Sequence, residues 1–339
     1  MRNFLLTLVV MALTALNGVL NAQIVIVQDA SGNNAKQYTD LQEAVNGAKS
    51  GDYLYLSGGI YDLTNYFWTG YDEKGRHTGM LVVDKPLHFV GAGYRGADIP
   101  HIQKGRFAFR KSASGSTITG LMIENLDLDS VSNTNVSRCK ITNHFALCGR
   151  GVNDVITECE INTLVGRVTL VNTYAAAAYY DCLISKNIIF GDIIGSNGKP
   201  NNVTLTNNVI RGAVGVQNAI VKNNILCYVN NFDATYSEVM NNLVVGYFPA
   251  NDFTTYSNNL EGYTTADIFV DYGKGDYHLK GPGKTTATDG KEVGIYGTDY
   301  PFKDNRLPAI PYFSKRSVSS ETDVNSKLKI DVTIEAQER

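Results

Sequence analysis

The sequence predicts an all-β chain, a single-stranded right-handed parallel β-helix, and three observations carry that reading. A strand–bend–strand unit recurs along the chain, Asn returns at one fixed place in its bend, and the strands between are rich in Val, Ile, Leu and Thr. The clearest copies are Val203-Thr-Leu-Thr-Asn-Asn208-Val-Ile, Ala219-Ile-Val-Lys-Asn-Asn224-Ile-Leu, Glu238-Val-Met-Asn-Asn242-Leu-Val and Thr255-Tyr-Ser-Asn-Asn259-Leu. The second Asn recurs at intervals of 16, 18 and 17 residues, and Asn187 precedes Asn208 by 21. Cys159, Cys139 and Leu121 occupy the equivalent place further back. A period of roughly 20 residues is too short for a helical repeat and about half that of a propeller blade. Such a unit cannot bury its apolar face alone, but stacked at about 4.8 Å per coil it builds parallel sheets around a continuous core. Asn at one bend in every coil can then form a ladder, each amide bonding the next.

In chain order, residues 1–22 read as a signal peptide. Arg2 supplies the positive start, Phe4 to Leu16 is apolar apart from Thr7 and Thr14, and small residues lead to a cut before Gln23. The expected destination is secreted, either periplasmic or at the cell surface. Residues 23–275 are expected to hold the β-helix with an N-terminal capping helix. There, Thr39-Asp40-Leu-Gln42-Glu43 starts a helix whose Leu41, Val45 and Ala48 form one apolar stripe. Residues 276–313 are rich in Gly and Pro and form an irregular C-terminal cap. The tail, residues 314–339, is polar until Leu328, Ile330, Val332 and Ile334 alternate as one late strand.

Composition excludes several classes. With 43% hydrophobic and 19% charged residues the chain has the material for a core and is not a disordered polymer. A net charge of −3, with no basic cluster beyond Lys315-Arg316, argues against nucleic acid. No stretch after residue 22 is apolar enough to span a membrane. Five cysteines, an odd number with no close pair, make a poor disulfide framework and are expected as buried thiols.

Strand alternation indicates which side chains face outward. Aligning Leu126-Asp-Leu128, Phe145-Ala-Leu147 and Val168-Thr-Leu170 puts Asn125, His144 and Arg167 in one outward column, with Asp127 and Asp129 nearby and Asp192 continuing the face. In this arrangement Arg167 would neutralise a sugar carboxylate while His144, with Asp127, would take the adjacent proton. Asp127 and Asp129 could instead hold Ca²⁺ through oxygen ligands, or the column could be a solvated polar wall. A second candidate is the aromatic segment Asn65 to His77, in which Tyr66, Trp68, Tyr71 and Arg76 suit a sugar surface. The expected partner is polysaccharide, bound by a monomer.

A family resemblance adds to this. Val27-Gln-Asp-Ala-Ser-Gly32, Leu41-Gln-Glu-Ala-Val45, Ser50-Gly-Asp52 and Gly59-Ile-Tyr61 resemble the opening of β-helix proteins of the pectate-lyase-like (pectin lyase-like) superfamily. Gly275-Asp-Tyr-His-Leu279, Gly294-Ile-Tyr-Gly297 and Leu307-Pro-Ala-Ile-Pro311 resemble secreted β-helix proteins of the Bacteroidetes. The resemblance implies carbohydrate binding and, in the superfamily's enzymes, polysaccharide lyase or glycoside hydrolase activity. Its catalytic motifs are absent: there is no Asn-Thr-Asp, Gly-His-Gly or Trp-Ile-Asp-His, and Arg306-Leu-Pro308-Ala-Ile-Pro311 lacks the second Arg of the lyase pattern. The remaining expectation is a non-catalytic surface or adhesion protein in which the solenoid is a spacer.

Overall fold

A computed structural model describes residues 23–32, 34–68, 77–95, 99–167, 181–195, 202–304, 312–322, 325 and 327–335. The proposed signal peptide lies outside them. The fold is all-β, and its two large sheets are parallel except at the N-terminal edge, as a β-helix requires. In the first sheet the strands from Tyr53–Leu56 to Thr254–Ser257 stack in sequence order. Each three-residue strand turns its middle side chain inward, so Ile118, Val136, Ile156, Ile184, Leu205, Val221 and Val239 form one buried column. Alternation and burial thus have one cause.

The bend after these strands takes two residues with different tasks. The first adopts a left-handed backbone at Arg138, Glu158, Lys186, Asn207, Asn223, Asn241 and Asn258. Asn tolerates that region better than most residues, which accounts for the first Asn of each pair. The second residue turns inward. Asn187, Asn208 and Asn224 each donate their backbone N–H to the side-chain oxygen one coil further on, at 2.9, 3.0 and 2.9 Å. Their amide groups also donate to a strand carbonyl below, at 2.9 Å in each case. Cys159 N donates to Asn187 Oδ1 at 2.9 Å and Cys139 N to Cys159 Sγ at 3.4 Å, so the cysteines extend the ladder with a weaker acceptor. All five cysteines are free thiols, and burial pushes those of Cys159, Cys182 and Cys227 up, out of reach of reactive thiolate chemistry.

The second sheet has two wings. One runs from Gly59–Asp62 through Pro100–Gln103 and the first halves of Met122–Asp129 and Lys140–Cys148 to Leu260–Tyr263. The other contains Met80–Val83, Arg106–Phe109, the second halves of the same two long strands, Leu164–Arg167 and Ile193–Gly195. The long strands cross between wings through a register shift at Ile123/Asn125. Higher up, Gly191 and Gly212 make the crossing, because a Cβ on either would strike the backbone of the coil below.

The N-terminal end is closed as the sequence predicts. Helix α1, Leu41–Gly47, is capped by Asp40, which accepts from Glu43 N at 2.8 Å, and it buries Leu41, Ala44 and Val45 on the first coil. The strand Val25–Gln28 pairs antiparallel with Tyr53–Leu56 and ends the first sheet's parallel run. Beyond the last coil strand, Leu260–Tyr263, the irregular cover begins at Thr265 rather than at residue 276, and it lies along the flank. An outward apolar row, Ile188, Val209, Ile225 and Leu243, meets Phe269, Tyr277, Leu279, Val293, Ile295 and Phe302 in a second core. The left-handed Asn residues dock this cover: Asn207 donates to Gly294 O, Asn223 to Thr288 Oγ1 and Asn241 to Thr286 O. The tail contains two strands, not one, since Tyr312–Thr322 pairs antiparallel with Leu328–Glu335. Among the described residues no helix is long and apolar enough to cross a membrane.

A sparser ladder occupies the bend that enters the first sheet. There Leu87 N donates to Ser116 Oγ, Thr134 N to Asp154 Oδ1 at 2.8 Å, and Ala219 N to Ser237 Oγ. Asp154 is fully buried, its Oδ2 has no hydrogen-bond partner, and desolvation raises its carboxyl from 3.8 to about 7. Between these limits the unfolded chain releases a proton that the folded chain keeps. Stability is therefore lost as pH rises through that window and is level above it, a loss of up to about 4 kcal/mol. Asp154→Asn keeps the acceptor for Thr134 N and removes the titration. It is expected to raise the melting temperature at about pH 8 and to give little gain at about pH 4, measured by thermal unfolding across pH.

Candidate functional site

The wing built on Arg106–Phe109, Met122–Asp129 and Lys140–Cys148 gathers the charged outward side chains. Register fixes the columns: Phe107 lies beside Leu126, Ala108 beside Asp127 and Phe109 beside Leu128. One coil further on, Asn125 aligns with His144 and Asp127 with Ala146. Leu126 and Leu128 enter the core, so Asn125, Asp127 and Asp129 face outward. All three are nonetheless buried, at 9%, 7% and 5% exposure, low in the wall among taller side chains.

Arginines from the coil below meet these carboxylates. Arg106 Nη1 donates to Asp127 Oδ2 at 2.8 Å, and Arg110 Nη1 donates to Asp129 Oδ2 at 2.6 Å. The other oxygen of Asp127, Oδ1, is buried and accepts no hydrogen bond, and it lies 3.9 Å from His144 Nε2. A buried carboxylate oxygen without a hydrogen bond is costly, and the charge of Arg106 on the other oxygen offsets part of that cost. An outer amide chain holds the bend: Asn125 Nδ2 donates to Gly105 O, Asn143 Nδ2 to Asn125 Oδ1 at 2.7 Å and Asn162 Nδ2 to Asn143 O. This chain runs beside His144 and positions its strand against Asp127.

The structure separates the predicted residues. Asp127 and His144 come together, while Arg167 does not join their column. Its backbone aligns with Cys148, one coil above Asp129, because only Asn162 and Thr163 separate the two wings in that coil. The strand therefore begins at Leu164, four residues before the expected Val168, which lies outside the described residues with Thr169 and Leu170. Thr163 takes the place next to His144, its carbonyl accepting from Phe145 N at 2.9 Å. Asp192 does continue the column, since Ile193 aligns with Leu164, but its carboxylate accepts from Ala213 N at 2.8 Å and closes a bend. For Asp127 and Asp129 as Ca²⁺ ligands, a cation would have to displace two guanidinium groups. Among the described residues no three His, Cys, Asp or Glu side chains gather as a metal set.

The aromatic candidate divides as well. Tyr66 is buried rather than offered to a sugar. Its hydroxyl donates to Asp40 Oδ2 at 2.9 Å and accepts from Leu41 N at 3.1 Å, locking the start of α1. Tyr71 and Arg76 lie outside the described residues, as does the side chain of Trp68. Arg106 and Arg110 were the residues missed. Their signal is Arg106-Phe-Ala-Phe-Arg110, in which Phe107 and Phe109 alternate inward as Leu126 and Leu128 do one coil later.

Comparison with known protein-family profiles gives no match to the chain, and comparison with curated proteins gives none either. Arg106→Ala leaves the Asp127 carboxylate buried beside an unanswered charge. It is expected to destabilise the fold by about 1–2 kcal/mol in urea unfolding, discounted for the partial exposure of Arg106. Arg106→Ala combined with Asp127→Asn is expected to recover most of that loss.

Proposed function

We propose that this is an exported polysaccharide-active β-helix protein whose charged wall binds uronic-acid chains and cleaves them by β-elimination. The carrying observation is the convergence of Arg106, Asp127 and His144, with contacts of 2.8 and 3.9 Å around Asp127. The leader-like residues 1–22 and the resemblance to secreted pectate-lyase-like proteins of the Bacteroidetes support the same reading.

In this mechanism Arg106 turns part of its guanidinium from Asp127 to the sugar carboxylate and lowers the cost of carbanion character beside it. Neutral His144 accepts the proton from the carbon next to the carboxylate. The electron pair left there forms a carbon–carbon double bond as the bond to the leaving sugar oxygen breaks, and that oxygen takes a proton from water. Asp127 faces the imidazolium that results and stabilises its charge. A second reading, a non-catalytic surface or adhesion protein, draws support from the Arg106–Asp127 and Arg110–Asp129 pairs, which neutralise one another without a ligand.

The test is incubation with polygalacturonate and with alginate, following the ultraviolet absorbance of an unsaturated uronate. Product is expected from one of them, with His144→Ala slower by at least about 100-fold. Absence of unsaturated product from both would remove the elimination and leave the adhesion reading.

A further inference from the structure

After the wing, the turn that leads into the first sheet builds a column that the proposed uronate site does not use. Asn133, Asn153, Asp181, Asn202, Asn218 and Tyr236 each stand two residues before the first-sheet column Asn135, Val155, Leu183, Thr204, Ile220 and Glu238. All six have a left-handed backbone, with φ between 48° and 59°. Backbone bonds run up the column: Asp181 N donates to Asn202 O, Asn202 N to Gln217 O, Asn218 N to Thr235 O and Tyr236 N to Phe253 O.

Asn and Asp suit this conformation, and five coils use them. The sixth uses Tyr236, a bulky residue in a strained region, and leaves it 63% exposed. Phe253, 61% exposed, lies against it with ring centroids 5.4 Å apart. Neither ring is spent on a core. The pair gives this turn two ring faces at the surface, which the Asn and Asp of the coils below lack.

A cleft of about 300 Å³ lies directly below this pair. Asp181, Asn202, Asn218 and Thr204 give its rim amide, carboxylate and hydroxyl groups, and Leu183 and Ile220 give its floor apolar carbon. Among the described residues Asp181 is the only charged one in its lining, and Glu238 adds a second negative charge one coil above Ile220. This lining offers an anionic chain no cation. From Asp181 to Tyr236 the column climbs three coils, about 14 Å at the inter-strand spacing, roughly the length of three sugar rings.

We infer that this column is a separate binding site for a neutral polysaccharide, which lies along the solenoid axis with its ring faces on Tyr236 and Phe253 and its hydroxyls on Asn218, Asn202 and Asp181. The inference stands apart from the uronate reading, because it places a different class of chain on a different face.

Tyr236→Asn is the decisive variant, since the turn accepts Asn in the coils below and folding is preserved. Cellohexaose, xylohexaose and mannohexaose are titrated calorimetrically into the full chain, with a hexagalacturonate for comparison. At least one neutral hexasaccharide is expected to bind. Tyr236→Asn is expected to weaken it by about ten-fold or more with an unchanged or higher melting temperature, and Tyr236→Trp to retain it. His144→Ala is expected to bind the neutral sugar as the parent does. If none of the neutral sugars binds, or if Tyr236→Asn binds as tightly as the parent, the site is refuted. Tighter binding of hexagalacturonate at this column would equally overturn it.

Discussion

From Cys159 to Asn259 each coil is tied to the next by one bond from a backbone N–H to the side-chain oxygen of an Asn directly above it. Asn187, Asn208, Asn224, Asn242 and Asn259 repeat this bond with lengths between 2.9 and 3.0 Å. The bend would otherwise bury a backbone donor and a strand carbonyl without partners, each a loss of about 1–3 kcal/mol. Asn satisfies both, since its oxygen accepts from below while its amide donates to the carbonyl. Because the side chain is short, the bonds close only when adjacent coils are in register. The ladder therefore fixes the columns in which the outward residues of these coils stand.

That register serves two unlike faces. Below the ladder, strand pairing continues the register and on the wing sets Arg106 diagonally beneath Asp127 and His144 diagonally above, although the three are far apart in sequence. At the entry to the first sheet it aligns a run of amides and one carboxylate beneath two exposed aromatic rings. The cover takes the other wing, packing on Ile188, Val209, Ile225 and Leu243. A cover along the flank leaves both polar faces open, whereas one wrapped further around would have closed them.

The fold was legible because its repeat is local: Asn-Asn spacing, inward Ile and Val, and the capping helix all follow from neighbours in sequence. The wing site was half legible. Asp127 and His144 lie past the register shift, beside segments in which Leu126, Leu128, Phe145 and Leu147 alternate inward, so counting by two placed them correctly. Arg167 went astray because the coil length changes at Asn162 and Thr163, and a change in bend length shifts every later residue without marking the sequence. The flank cover is foreshadowed by Ile188-Ile189, Val209-Ile210 and Ile225-Leu226, where adjacent apolar residues leave one facing outward. Tyr236 was invisible for another reason: its left-handed backbone appears only once the coils are built.

The register claim can be examined directly by amide hydrogen exchange, resolved residue by residue. If the ladder holds the coils, the backbone amides of Asn187, Asn208, Asn224 and Asn242 exchange together and as slowly as the amides of the inward strand residues Leu205 and Val221, through global opening alone. Exchange of the four Asn amides at the faster rate of exposed loop amides that have no hydrogen bond would contradict it, and the register would then depend on the strands alone.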